Sequence, residues 1–212
     1  MAALAAYWAW KQSVFGTNYM IWHDGLNTQA VTVLAGEARK EALAMLRLGL
    51  DSGDTHAAQA LAAMGEAGAL DAVRAQIATS RGIAQVRAVL AAHELSPDPS
   101  LAAFLIKVLK TARSWSARID AAIGLRRFRG ADDEEALLEA VARDPKYLVR
   151  YHASESLLLR WGVRPAGINE YGEILDRLRG PDHDSPSAED FASFTRARRM
   201  LEALRQGGLR RR

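Results

Sequence analysis

Five side chains crowd one short segment in a way that could do chemistry: Tyr147, Arg150, Tyr151, His152 and Glu155. On a helix, His152 and Glu155 stand at i and i+3, close enough for the carboxylate to hold the imidazole as a general base needs. The same segment is apolar nearly all round, which suits a helix sandwiched between neighbours. His152 therefore reads first as a hydrogen-bonded core or groove residue. The other histidines, His23, His56, His93 and His183, are scattered, and His93-Glu94 has no second His at i+4 to make a helical zinc site. His183 between Asp182 and Asp184 reads as part of a solvated acidic loop. The chain has no Cys, which removes disulfides, thiolate metal sites and a Cys nucleophile. It has no GxGxxG or Walker loop to cradle a phosphate and no GxSxG elbow. The expectation is a chain with no catalytic residue, cofactor or metal.

The element that carries the cluster is punctuated at both ends. Asp144 is placed to cap a helix, Pro145 sits where a first helical residue needs no N–H, and Gly162 stops the run. A second copy lies 32 residues upstream. Ala117-Arg118 matches Val149-Arg150, Ala121 matches Ala153, Gly124 matches Ser156, Leu125 matches Leu157 and Gly130 matches Gly162. A weaker copy begins at Val86-Arg87. A helix repeated at such a spacing implies stacked helical units, because each unit can bury its apolar face only against the next.

The Val-Arg pair, the small residues four and seven positions on, the following Leu and the terminal Gly resemble the second helix of a HEAT-like repeat of the phycobilin-lyase type. That resemblance implies an all-α fold, a right-handed α-solenoid of about four helical hairpins between N- and C-terminal caps, with the second helices lining a concave surface. The hairpins fall within residues 36–162. Ala38, Ala42, Met45, Leu46 and Leu50 share one face before a turn at residues 51–54, and Asp54 caps the helix that follows. Ser96-Pro97-Asp98-Pro99 is the clearest break, after which Leu101, Phe104, Leu105, Val108 and Leu109 form a clean apolar stripe. Residues 163–205 read as two capping helices, the last covering 191–204 behind a Ser187/Asp190 capping box, and residues 206–212 as a mobile basic tail.

Residues 1–35 differ from the rest. Lys11 and Asp24 are their only firm charges, and they hold Tyr7, Trp8, Trp10, Phe15, Tyr19 and Trp22. Residues 2–12 read as a short helix and 14–27 as irregular. The segment reads as a cap over the first repeat, with a partner-binding aromatic patch as the alternative. The charge is also uneven. Residues 195–212 carry seven Arg against Glu202 alone, whereas the whole chain has a formal net charge of only +3, so the remaining body is slightly acidic. That pattern makes nucleic acid the less favoured partner, since a duplex binder spreads its basic surface over the folded face. No apolar run is long enough to span a membrane, and the apolar start has no basic leader, so the chain reads as mature and cytoplasmic.

Three functions follow from the resemblance. HEAT-like solenoids bind proteins along extended surfaces, and a small, Cys-free chain with aromatic ornament resembles the immunity proteins that neutralise interbacterial toxins. A general protein-interaction scaffold is the broader form of that reading. HEAT-like DNA glycosylases are of comparable size, and Trp115, Asp120 and Trp161 are the positions available for their aromatic and acidic roles. Kinship with the phycobilin lyases themselves ranks last. The expected working surface is Arg118, Tyr147, Arg150 and Tyr151, with Trp8, Trp10 and Trp22 as anchors. Arg118 and Arg150 have two readings, an inter-repeat salt bridge to Asp120, Asp144 or Glu155, or an arginine ladder presented to an acidic partner.

Overall fold

A computed structural model describes residues 2–66, 68–165, 167–180 and 185–209; the side chains of residues 2, 22–24 and 207–209 lie outside what is described. The chain is all-α: thirteen α-helices and no strand occur among the described residues. None of these helices is long and apolar enough to cross a membrane. The chain forms two compact units, residues 1–80 with 87–98, and residues 81–86 with 99–212.

In the first unit, α1 (Ala2–Phe15) lies against α4 (Gly36–Asp51), which packs on α5 (Thr55–Ala63), and α5 packs on α6 (Ala69–Thr79). Residues 14–27, expected to be irregular, contain the short helix α2 (Asn18–Asp24). The Thr17 hydroxyl caps it by accepting from the Met20 N–H, a local bond that the aromatic content of the stretch did not advertise. A single turn, α3 (Gln29–Thr32), follows and buries Val31. Tyr7 is fully buried because α4 offers it Gly49, where a Cβ would stand 2.3 Å from the ring. Burying the ring stabilises this contact by about 2 to 3 kcal/mol.

The Tyr7 site is also polar. Its hydroxyl donates to the Asp54 carboxylate, and Lys11, one turn on, donates to the same oxygen at 2.6 Å. Lys11 Nζ lies 3.1 Å from His56 Nδ1, and the other Asp54 oxygen caps α5 by accepting from the His56 N–H at 3.0 Å. Burial pushes the Asp54 carboxyl up, but the hydrogen bonds from Lys11 and Tyr7 outweigh it and hold it below the usual range. Burial, and then Lys11 beside it, push His56 down to about 4. The folded His56 is therefore neutral in a pH range where the unfolded residue, with its ordinary value of 6.5, takes a proton. This stabilising contribution is full above about pH 6.5 and is lost as pH falls through about 4. We expect the loss attributable to His56 to approach about 2 to 3 kcal/mol. Denaturant titration at pH 7 and pH 4 should show a shallower pH dependence in His56→Gln than in the native chain; equal slopes would sink the assignment.

In the second unit, α8 (Ala102–Thr111) packs on α9 (Trp115–Gly124), and α10 (Ala131–Arg143) packs on α11 (Tyr147–Trp161). α11 also lies against α9, and α12 (Gly172–Arg179) and α13 (Ala188–Leu209) close over α11 and α10. The core runs through Leu105, Leu125, Leu137, Leu157, Leu178 and Leu201, all fully buried. α7 (Gly82–Leu95) is divided between the two units, its residues through 86 belonging to the second.

The punctuation of α11 differs from expectation at one end. Gly162 adopts φ 65°, and the Val163 N–H returns to the Leu158 carbonyl, the left-handed stop that glycine favours. At the other end the helix starts at Tyr147, so Asp144 is not its cap. Asp144 ends α10 instead, and its Oδ1 accepts from the Lys146 N–H at 2.9 Å to fold the turn. The Ser187/Asp190 capping box forms as expected, the Asp190 carboxylate accepting from the Ser187 N–H at 2.8 Å. The last helix begins at Ala188 and continues to Leu209, beyond the expected end at residue 204 and into the stretch read as tail. His183 and its flanking aspartates lie outside the described residues, as do residues 210–212.

Candidate partner-binding site

Alternate sides of α11 carry different chemistry. Its inner side buries Val149, Ala153, Leu157 and Leu158 completely and draws Arg150 in with them. The Arg150 Nε and Nη2 donate to the Leu178 carbonyl at 2.9 and 2.7 Å, Nη1 donates to the Asp144 carbonyl at 2.7 Å, and the guanidinium lies 3.8 Å over the Phe194 ring. Arg118 is the counterpart on α9. Its Nε and Nη2 grip both Asp144 oxygens at 2.7 and 2.9 Å, and its Nη1 donates to the Ala112 carbonyl at 2.8 Å. Each arginine thus bonds the carbonyl six residues behind it and a group 26 or 28 residues ahead. Arg87, at the weaker copy, is exposed.

These positions correct the expected surface. Arg150 is 0% exposed and Arg118 only 9%, so neither guanidinium forms a ladder open to an acidic partner. Of the two readings left by the sequence, the salt bridge to Asp144 describes Arg118, while Arg150 ties backbone carbonyls of two turns. Carbonyl oxygens carry no charge that a charge-counting argument would register, so the sequence offered no signal for that pairing.

The outer side of α11 holds the residues that remain accessible. Tyr147 and Tyr151 are partly exposed and meet edge to face at 6.0 Å, while Leu148 and Leu159 are each 43% exposed. Asn169 Nδ2 donates to the Tyr151 hydroxyl at 3.1 Å. Burial, and then the neighbouring Glu155 carboxylate, push the Tyr151 phenol up, so it stays a neutral donor. His152 Nδ1 lies 3.7 Å from Glu155 Oε2, and Arg126 Nη2 lies 3.6 Å from the same oxygen. Both separations exceed a good hydrogen bond, and both nitrogens are buried without a hydrogen-bond partner. Burial pushes the His152 imidazole down against the pull of Glu155, leaving it neutral near pH 7. The stripe can thus offer a phenol, an imidazole, a carboxylate and two leucines to a facing surface.

The first unit holds the other expected anchors. Trp8 is 43% exposed, with Lys11 Nζ 4.9 Å from its ring centroid. Trp10 is partly buried, packed edge-on against Phe15 at 5.9 Å. Trp22 belongs to α2, with its side chain outside the described residues. Trp115 opens α9 at 46% exposure, with Asp120 partly buried on the same helix, whereas the Trp161 indole donates to Glu134 at 3.0 Å. Sequence reasoning missed the Tyr7, Lys11, Asp54 and His56 cluster, although a lone lysine one turn after a tyrosine in an apolar helix was its visible trace.

Comparison with known protein families, with characterised proteins and with solved structures finds no match for this chain.

Proposed function

We propose that this chain is a non-catalytic α-solenoid of about four HEAT-like hairpins that binds a protein partner, as a stoichiometric inhibitor of the immunity-protein kind acting on an interbacterial toxin. The repeated arginine brace supports the repeat reading: Arg118 and Arg150, 32 positions apart, bond the preceding turn and the turn ahead in the same manner. The observation that carries the binding reading is the α11 stripe. Tyrosine and leucine side chains stay accessible on a helix whose opposite side is held fast by Arg150, and a preorganised aromatic surface loses little entropy on docking.

The accessible Trp115 on α9 keeps a nucleic-acid reading as the alternative. A tagged pull-down from native lysate after nuclease treatment separates the two. One equimolar protein supports the inhibitor or scaffold; nucleic acid in the untreated sample with no protein partner supports the alternative. With the partner in hand, Tyr151→Ala is expected to weaken binding by about 2 kcal/mol, or roughly 30-fold, with unchanged helicity. A full-strength complex would remove the α11 stripe from the interface.

A further inference from the structure

Three arginines surround one open concavity in the second unit. It measures about 360 Å³ and lies between the end of α10 and the first turns of α13. Arg143 comes from α10, Arg196 and Arg199 come from α13, and all three are exposed. Among the described residues none of the three has an ion-pair or hydrogen-bond partner. Their neighbours on α13 behave otherwise: Arg198 is held between Glu135 at 3.0 Å and Glu202 at 3.2 Å, and Arg205 pairs with Glu134. Glu134, Glu135 and Glu202 are therefore engaged on one side of the contact, while Arg143, Arg196 and Arg199 on the other side have no carboxylate bound to them. The helix dipole favours Arg143 in the last turn of α10, but Arg196 and Arg199 sit in the third and fourth turns of α13, beyond the reach of its dipole.

Between the arginines the lining is made of small side chains and one aromatic ring. Ala142 and Ala192 are small, and Phe191, 37% exposed, forms one wall. We propose that this groove receives an acidic segment of the protein partner, its carboxylates held by Arg143, Arg196 and Arg199 and an apolar side chain seated against Phe191. The proposal rests on the protein-binding reading above and names the chemistry of the partner. Guanidinium forks match carboxylates in bidentate geometry, and three of them around so small a volume recognise a few residues of chain. A nucleic-acid backbone fits less well. It would run on past the three arginines to Glu189 and Asp190 in the first turn of α13, where its phosphates meet like charge.

The test uses the whole chain and a triple variant, Arg143→Glu, Arg196→Glu and Arg199→Glu, with far-ultraviolet circular dichroism as the fold control. The probes are a fluorescent oligoglutamate peptide ending in Phe, an oligoglutamine peptide of the same form, and oligothymidylate of equal length. The expected result is anisotropy-detected binding of the oligoglutamate peptide, at least about tenfold stronger than oligoglutamine or oligothymidylate and weakened by about tenfold or more in the triple variant. Equal binding of oligoglutamate and oligoglutamine, or an unaffected triple variant, overturns the groove. Tighter oligothymidylate binding lost in the same variant overturns the choice of a protein segment. If the charge reversals unfold the chain, Arg143→Gln, Arg196→Gln and Arg199→Gln replace them with the same readout. Failure of the broader reading shows separately: a pull-down that yields no protein from the native chain refutes partner binding, whereas a partner retained equally by the triple variant refutes only the groove.

Discussion

Alanine at Arg150 is expected to lower the stability of the second unit by about 3 to 5 kcal/mol, with the denaturant midpoint of its unfolding falling accordingly. The side chain is the largest of those fully buried among the described residues, and three of its N–H groups satisfy the Leu178 and Asp144 carbonyls. Alanine strands both carbonyls away from water and empties the space under Phe194, which the guanidinium covers at 3.8 Å. Lysine is expected to rescue little, because one ammonium cannot reach two turns with the planar fork that Arg150 uses. Arg118→Ala belongs to the same class, since it leaves the Asp144 carboxylate, 8% exposed, without its bidentate partner. A change of under about 1 kcal/mol in Arg150→Ala, or loss of partner binding at unchanged stability, would show that Arg150 faces a partner after all.

Asp54→Ala is the second large effect, also expected at about 3 to 5 kcal/mol, and it acts on the first unit. Asp54 neutralises Lys11, accepts the Tyr7 hydroxyl and caps α5 through the His56 N–H. Lys11 is only 4% exposed, so removing the carboxylate leaves a cation with little water around it. Two companions apportion the loss. Asp54→Asn keeps a cap oxygen and is expected to recover about 1 kcal/mol of it. Lys11→Met removes the stranded cation as well, so adding it to Asp54→Ala is expected to restore part of the stability in thermal or urea unfolding. If the double variant is no better than Asp54→Ala alone, the buried charge is not the source of the cost.

These two sites show where reading the chain succeeds and where it stops. The apolar spacing of α8, the glycine stop of α11 and the Ser187/Asp190 box are local, each decided within a few residues, and each was legible. The helix α2 was not, because its one clear cap, Thr17, stands among aromatics and glycines whose local preferences point elsewhere. Asp144 illustrates a subtler failure. An acid before a proline reads as a helix cap, but the same side chain satisfies the turn and Arg118 together, and the helix begins two residues later than a capping Asp144 implies.

By itself the sequence determined the helical class and most helix positions, because periodicity and end signals act over one or two turns. It also marked Arg118 and Arg150 as equivalent in position, 32 residues apart in two stretches of matching residue types. Only the tertiary structure decided what that equivalence means. Whether an arginine faces water or two carbonyls depends on which turn packs over it, here Leu178 from α12 and Asp144 between α10 and α11. The same holds for Arg143, Arg196 and Arg199. Their freedom is a property of where the nearby carboxylates are already engaged, and that becomes fixed when α13 settles on α10.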